Sequence, residues 1–396
     1  MKVSVMQLLL SINKVIKLKW LFTFWLSIVF TNGLMFGQND NSAFCIPHYI
    51  NPKDSNSLHF TVENGNYFKN MYYTYNAFEA GYKEIGYFIQ PELVYYPNIR
   101  SKITAGIYLL KYSGLSNYTQ EQPVLTFQYH IWDGLDMVLG TLYGTANHNL
   151  IEPLFQFDRY MNDHVENGLQ FLLDNKRIKS DLWLNWEQFI FIQSPIQEQF
   201  TVGSSNSFLI TNPESRFHLA IPVQFLFTHK GGMDTRQSAP VQTIFNLAYG
   251  LEALYNTNGS LFKRIGLRAY MTHYFDVTDD HEEPFAKGYG IYPNLITEGK
   301  HWDIMLGYWN ADKFIAPRGE YLFQSVSSVD STYTEAKRQL LTFKLSYHHT
   351  VKKGIELGTR FESYYDIMKT NFDYTYGVYI IFNSDFFIMH VKSNNQ

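Results

Sequence analysis

The sequence predicts an all-β fold, a single antiparallel transmembrane β-barrel of about 16 strands, with about 14 to 18 as the range. Three observations carry this prediction. Apolar and polar residues alternate over segments of about ten residues, and short turns alternate with longer polar connections. The chain contains 32 Phe and 30 Tyr, whereas charged residues make up only 17%. Aromatic residues favour strands and membrane interfaces, so this composition fits strands that face lipid.

The alternation is clearest in residues 217–228, where every second residue from Phe217 to Phe227 is apolar. The other face carries His218, Gln224 and Thr228. The same pattern recurs in 181–192, 264–276, 342–349 and 355–366. Successive side chains of a strand point to opposite faces, so each segment has one apolar and one polar face. Charges in the middle of the polar face favour a membrane barrel over a soluble sandwich.

The connections between these segments alternate in length. Short turns are predicted at 98–100, 133–134, 176–178, 211–216, 256–260, 299–301 and 350–353, and longer connections at 115–123, 146–167, 194–198, 231–240, 277–285, 311–338 and 368–371. Transmembrane barrels show this alternation, with short periplasmic turns and longer outer loops. The pattern requires 311–338 to be one long outer excursion, with both chain ends in the periplasm.

The N-terminus is predicted to be a signal peptide. Lys14, Lys17 and Lys19 precede an apolar run at 20–30, which is too short to span a bilayer as a helix. Cleavage is predicted after Gly37, with Gly33 as the alternative, and the Phe-Gly-Gln-Asn context of Gly37 resembles signal ends in the Bacteroidetes. The chain is therefore divided into a signal peptide (1–37), an N-terminal periplasmic segment (38–57), the barrel (58–390) and a C-terminal tail (391–396).

The last predicted strand resembles the assembly signal of Gram-negative outer-membrane β-barrels. A polar residue, Thr375, is followed by Gly377 and then by hydrophobic Ile380 and Phe382. The resemblance implies insertion by the barrel-assembly machinery and residence in the outer membrane. The chain departs from the pattern because residues 383–396 follow where such barrels usually end on an aromatic residue.

The polar faces predict a lumen lined by charges of both signs. The candidates are Glu92, Asp181, Asn185, Glu187, Arg264, Arg268, Lys344, His348, Glu356, Arg360 and Glu362, with Lys102, Glu252 and Asp303 also pointing inward. A barrel of this size has a lumen too wide to be filled by wall side chains alone. We therefore expect water and an inserted loop inside it, with 311–338 as the first candidate and 146–167 as the second.

Searches for catalytic and metal-binding patterns predict no such site. The sequence has no G-x-S-x-G and no H-E-x-x-H motif. Asp279, Asp280, Glu282 and Glu283 are weak candidates for holding a divalent cation, but their spacing is not that of an EF-hand loop, and a solvated outer loop is favoured. Cys45 is the single cysteine, which excludes an internal disulfide. No cofactor is expected.

The favoured function is a porin-like channel for small polar solutes, not an enzyme. The alternative is a non-conducting scaffolding barrel that partners a surface lipoprotein or secretion complex, and a barrel-embedded hydrolase ranks a distant third. Expected partners are outer-membrane lipid, the barrel-assembly machinery and either further copies of the chain or a surface lipoprotein. The net charge of −4 argues against nucleic acid as a partner.

Overall fold

Sixteen antiparallel strands close into a barrel in the computed structural model, which describes residues 44–45, 49–232, 240–259, 261–279 and 281–391. The first strand pairs with the second on one side and with the sixteenth on the other, so the sheet has no free edge. The predicted fold class and strand number are confirmed. The predicted signal peptide lies outside the described residues. Within them, no helix is long and apolar enough to cross a bilayer.

The strands follow one another around the barrel in sequence order. Their bounds are β1 Ser57–Tyr72, β2 Lys83–Asn98, β3 Ser101–Tyr112, β4 Gln120–Trp132, β5 Leu135–Thr141, β6 Asn167–Asp174, β7 Ile178–Gln188, β8 Gln199–Leu209, β9 Phe217–Lys230, β10 Gln242–Asn256, β11 Phe262–Asp276, β12 Lys287–Gly299, β13 Trp302–Asp312, β14 Lys337–Lys352, β15 Ile355–Asp366 and β16 Asn371–His390.

The alternation in the sequence separates the two faces of the wall. Outward-facing Leu125, Leu251 and Leu306 are about half exposed and form part of an apolar surface. Inward-facing residues are buried, but they are not uniformly polar. On β9, Gln224 and Leu226 both point inward and are buried. The interior therefore offers apolar surface as well as polar groups.

The two ends of the barrel differ. The end we call the turn end carries the short connections, the start of β1 and the end of β16. The opposite end, the loop end, carries the longer connections, including the single excursion between β13 and β14. That excursion contains a short 3-10 helix, Tyr321–Phe323, and an isolated bridge between Val326 and Thr334.

Two of the long connections fold into the lumen and fill much of it. Loop A (142–166) joins β5 to β6, and loop B (313–336) joins β13 to β14. The backbone N–H of Glu320 in loop B donates to the carbonyl of Glu152 in loop A at 2.9 Å, and that of Gln156 donates to Arg318 at 2.8 Å. Leu154, Phe314 and Phe323 are fully buried within the same core as inward residues of the wall. Burial of this apolar surface stabilises the loops inside the barrel.

Ion pairs, two of them buried and one half-buried, attach the loops to the wall at separate points. Glu152 of loop A pairs with Lys344 on β14, Asp158 of loop A pairs with Lys69 on β1, and Arg318 of loop B pairs with Glu187 on β7. These strands lie on different sides of the barrel. A buried charge that loses its partner is costly, so the pairs favour one arrangement of the loops.

His148 of loop A is held between two carboxylates. Its Nδ1 lies 2.7 Å from Asp181 on β7, its Nε2 lies 3.0 Å from Glu166, and its ring stacks on Trp183 at 3.5 Å. Burial disfavours the charged imidazolium, but the carboxylates of Glu166 and Asp181 outweigh that effect and raise the pKa of His148 from 6.5 to about 9.

This arrangement predicts a pH-dependent contribution to stability. A raised pKa in the folded state stabilises the protein fully below pH 6.5, and this stabilisation is lost as the pH rises through about 9. We expect the difference in thermal unfolding midpoint between the wild type and His148→Gln to be largest near pH 6 and to shrink above pH 9. A difference that stayed constant between pH 5 and pH 10 would contradict a charged His148.

Candidate functional site

The lumen candidates from the sequence lie on the inner side of the wall, where many are engaged with the loops or with one another. Asp181 binds His148, Glu187 binds Arg318, and Asn185 accepts a hydrogen bond from the backbone N–H of Asn167 at 2.9 Å. Lys344, Arg360 and Glu362 form one buried network, with 2.6 Å between Arg360 and Glu362. These contacts hold loops A and B in place inside the lumen.

The remaining lumen candidates lie nearer the turn end of the barrel or pair with a residue on a neighbouring strand. Arg264 pairs with Glu298, Arg268 pairs with Glu252, and His348 lies 3.3 Å from Asp303. Glu356 accepts a hydrogen bond from Thr350, and Glu92 accepts one from Thr61 at 3.1 Å.

The assembly-signal residues divide between the two faces of β16. Thr375 and Gly377 are buried on the inner face, while Ile380 is about half exposed on the outer face with Phe382. Their role in assembly stays a prediction. For the weak metal candidates, Asp280 lies outside the described residues. Within the described ranges, no group of three or more His, Cys, Asp or Glu is placed to hold a metal ion.

A cavity of about 720 Å³ occupies the lumen beside β1 to β4. Its lining at the turn end includes Asn51, Tyr96 and Asp385, together with Gly354 of the turn between β14 and β15. Towards the loop end it is bounded by loop A, through residues such as His164. The cavity is therefore a lumen pocket at the turn end, with loop A between it and the loop end.

A serine, a histidine and an aspartate form a hydrogen-bonded chain beside this cavity. The Oγ of Ser57 lies 2.9 Å from Nε2 of His59, and the Nδ1 of His59 lies 2.6 Å from Oδ1 of Asp385. Ser57 and His59 are buried, whereas the Asp385 side chain is 56% exposed. This order of contacts is that of a catalytic triad, in which histidine takes the serine proton and aspartate orients the imidazole.

The closure of the barrel brings the three residues together. Ser57 and His59 are two apart on β1, so both face inward. Asp385 belongs to β16, which runs alongside β1 with Asp385 opposite Thr61. The ring of His59 packs edge-on against Tyr96 and Phe387, with centroids 5.4 and 5.6 Å apart. These contacts orient the imidazole between its two hydrogen-bond partners.

A short segment before β1 covers the serine. The hydroxyl of Ser57 also donates to the backbone carbonyl of Asp54, which lies in the 3-10 helix Pro52–Asp54, and Ser57 is only 1% exposed. A hydroxyl has one proton to donate, so the same proton cannot go to His59 at the same time. The structure therefore shows the triad in a covered state. Asp385 of the triad and the neighbouring Tyr96 both line the cavity.

Sequence reasoning missed this triad because it searched for contiguous motifs. The available signal was Ser-x-His at 57–59, which places both side chains on one face of a strand at the turn end. The third member is 326 residues further along the chain, and only the pairing of β1 with β16 makes it a neighbour.

A model of the family described as "Lipid A 3'-O-deacylase-type" matches residues 50–391 of the chain. This match covers nearly all of the barrel, from the segment that covers Ser57 to the end of β16. No curated protein matches the chain.

Solved structures with a similar fold are outer-membrane proteins. OprD from Pseudomonas aeruginosa has a TM-score of 0.47 at 9% identity over 86% of this chain and 99% of its own. A loop L8 deletion mutant of OmpT from Vibrio cholerae has a TM-score of 0.48 at 9% identity, over 83% and 99% of the two chains. Structural similarity this low supports no conclusion about function.

These findings confirm the resemblance to outer-membrane barrels and the predicted location in the outer membrane. They also correct one prediction. The expectation that the chain is not an enzyme is wrong, because the family whose model it matches is described by an enzymatic activity, deacylation. A hydrolase ranked last among the predicted functions because contiguous motifs do not contain residues that come together only where β1 pairs with β16.

Proposed function

This chain belongs to the lipid A 3'-O-deacylase-type family, and from that premise we propose that it hydrolyses an acyl ester in the outer membrane with Ser57 as the nucleophile. The observation that carries the proposal is the chain of contacts from Ser57 through His59 to Asp385. The substrate we propose is the 3'-O-acyl ester of lipid A, after the description of the family.

The proposed reaction uses only groups of this chain and water. Ser57 Oγ attacks the ester carbonyl carbon while Nε2 of His59 takes its proton, and His59 then gives that proton to the departing alcohol oxygen. The acyl group stays on Ser57 as an ester. Water, deprotonated by His59, releases it as a carboxylic acid and restores the serine. Asp385 holds the imidazole by its Nδ1 and stabilises the positive charge that forms on it.

The covering segment has to release Ser57 before the first step. In the covered state, the Ser57 proton is donated to the carbonyl of Asp54. Displacement of residues 49–55 would free this proton for His59 and open the triad to the cavity that Asn51 and Asp54 also line. Catalytic hydrogen bonds in unliganded structures commonly reach their working geometry only with substrate bound.

The direct test is product analysis with purified protein in detergent micelles. The protein is incubated with lipid A and, separately, with a diacyl phospholipid, and the released fatty acids are identified by mass spectrometry. We expect release from lipid A by the wild type and no release above background by Ser57→Ala. No release by the wild type under any of these conditions, or equal release by both proteins, would overturn the proposal.

The sequence favoured a channel for small polar solutes, and this function stays a prediction for the barrel. Loops A and B occupy the lumen, are joined to each other, and are attached to the wall at β1 and β14 on one side and at β7 on the other. In planar bilayers we therefore expect single-channel conductance well below that of an open 16-strand porin. A shortened loop B, with residues 316–334 replaced by a flexible linker, is expected to raise it. A large, steady conductance of the wild-type barrel would show that solutes pass the loops as they stand.

A further inference from the structure

We infer that the lumen cavity contains an anion subsite at Lys102, which binds a phosphate or carboxylate group of the ester that the triad cleaves. That the ligand is an ester rests on the proposed function, whereas binding of an anion at Lys102 can be tested without catalysis. The residues that carry it are Lys102, Thr104 and Tyr143, all of which line the cavity.

Lys102 is a buried cation without a carboxylate partner. It lies on β3 and is 8% exposed, and it contributes to the cavity wall. Its partner in the described part of the chain is Tyr143, through a side-chain hydrogen bond and through the ring, whose centroid lies 5.1 Å from Nζ. Across the described ranges, the buried ammonium groups of Lys69 and Lys344 each pair directly with a carboxylate, and Lys102 has no such pair. An ammonium removed from water without a counter-charge is costly, so an anion in the cavity would stabilise it.

Further donor capacity lies next to Lys102. Thr104 follows it on the same face of β3, and its hydroxyl has no hydrogen-bond partner among the described residues. Thr104 is directly opposite Thr126 on β4, whose hydroxyl donates to the carbonyl of Thr141 at 2.8 Å. An ammonium and a free hydroxyl on one wall are suitable donors for phosphate or carboxylate oxygens.

Of the four carboxylates that line the same cavity, Glu63, Glu92 and Asp385 have hydrogen-bond or ion-pair partners other than Lys102, and Asp54 lies in the segment that covers Ser57. Glu92 accepts hydrogen bonds from Thr61 at 3.1 Å and from Gln90 at 2.9 Å. Asp385 accepts from His59, and Glu63 lies near Tyr160 and His164 at the loop A side of the cavity. Glu92 attracts the Lys102 ammonium electrostatically, but no carboxylate of the described residues pairs with it directly, so an anion in the cavity can do so.

The subsite and the triad are close enough in the fold to act on one molecule. Tyr96 lines the cavity and packs against His59, and it lies on β2, directly beside the part of β3 that carries Lys102. A cavity of about 720 Å³ can hold a ligand of drug size or larger. Once residues 49–55 are displaced from Ser57, a phosphorylated or carboxylated ester in the cavity can contact Lys102 while its ester bond reaches Ser57.

Binding is measured by isothermal titration calorimetry on the intact barrel in detergent, in the Ser57→Ala background so that no ligand is consumed. The probes are dihexanoyl phosphatidic acid, which carries a phosphate and two acyl esters, dihexanoylglycerol, which lacks the phosphate, and inorganic phosphate alone. Lys102→Met removes the charge, and Lys111→Met, on the same strand but at the loop end, is the matched control. A hydrogen bond to a charged group contributes about 1.5–3 kcal/mol, which corresponds to about 10- to 100-fold in affinity.

We expect phosphatidic acid to bind at least about tenfold more tightly than dihexanoylglycerol, and Lys102→Met, but not Lys111→Met, to abolish this preference. Inorganic phosphate binding as tightly as phosphatidic acid would assign the subsite to free anions and overturn its link to the ester. Equal affinity for the charged and neutral lipids, or a preference that survives Lys102→Met, would overturn the subsite itself. If the preference is found but the wild type hydrolyses no ester, the subsite stands and the proposed function fails.

Discussion

Replacing Ser57 with alanine is expected to lower the rate of ester hydrolysis by about 10⁴-fold or more, because no other group at the site can form the acyl ester. Asp385→Asn is expected to cost about 10⁴-fold as well, since an amide cannot stabilise the imidazolium of His59. Both effects should appear in kcat, measured with a soluble chromogenic ester under saturating conditions. The two losses should not add in a double variant, because the residues act as a unit.

The matched control for this prediction is Ser101→Ala. Ser101 is also a buried serine at the turn end, at the start of β3, and within the described residues its hydroxyl forms no hydrogen bond with a histidine, unlike that of Ser57. Its loss should leave kcat within about twofold of the wild type, as expected for a substitution away from the chemistry. Hydrolysis that persists in Ser57→Ala but falls in Ser101→Ala would place the nucleophile elsewhere.

Lys344→Met is expected to lower the free energy of unfolding by about 3–5 kcal/mol. Lys344 lies under the two loops and binds Glu152 of loop A and Glu362 of β15, all of them buried. Removing the ammonium leaves Glu152 inside the barrel with a longer ion pair to Arg360, at 3.8 Å, which already pairs with Glu362 at 2.6 Å. Since Glu152 anchors loop A, the same variant should also raise single-channel conductance. Thermal unfolding in detergent and bilayer recordings measure the two effects.

Two further variants separate this explanation from a simple loss of packing. The double variant Lys344→Met/Glu152→Gln removes both charges, so it should recover part of the lost stability. Lys179→Met breaks an exposed pair with Asp174 at 3.6 Å and should change the unfolding midpoint little. If the double variant lost, relative to the wild type, the full sum of the stability losses of Lys344→Met and Glu152→Gln, the charges would not be coupled.

The barrel could be predicted from the sequence because its signals are local. Alternation along 217–228 and the contrast between short turns and long connections are visible within a few residues of each feature, and together they specify the strand number. The prediction of 311–338 as one excursion followed from keeping both termini at the same end. The structure adds that loop A enters the lumen as fully as loop B.

The candidate site could not be predicted in the same way. His59 and Asp385 are far apart in the sequence, and their contact depends on the register between β1 and β16, which periodicity alone does not specify. Several charged residues predicted to line the channel are partners of the inserted loops, as Glu187 is of Arg318 in loop B. Alternation indicates which side chains point inward, but it does not indicate which residues they contact inside the lumen.

The central claim, that Ser57 is an activated nucleophile in an outer-membrane hydrolase, is tested most directly by covalent labelling of the intact barrel. The folded protein in detergent is treated with a fluorophosphonate, which reacts with activated serines, and the adduct is located by peptide mass spectrometry. Our account predicts one adduct, on Ser57, that is lost in His59→Ala and retained in Ser101→Ala. Ester hydrolysis by a barrel whose Ser57 remains unlabelled, or labelling that is unchanged in His59→Ala, would contradict it.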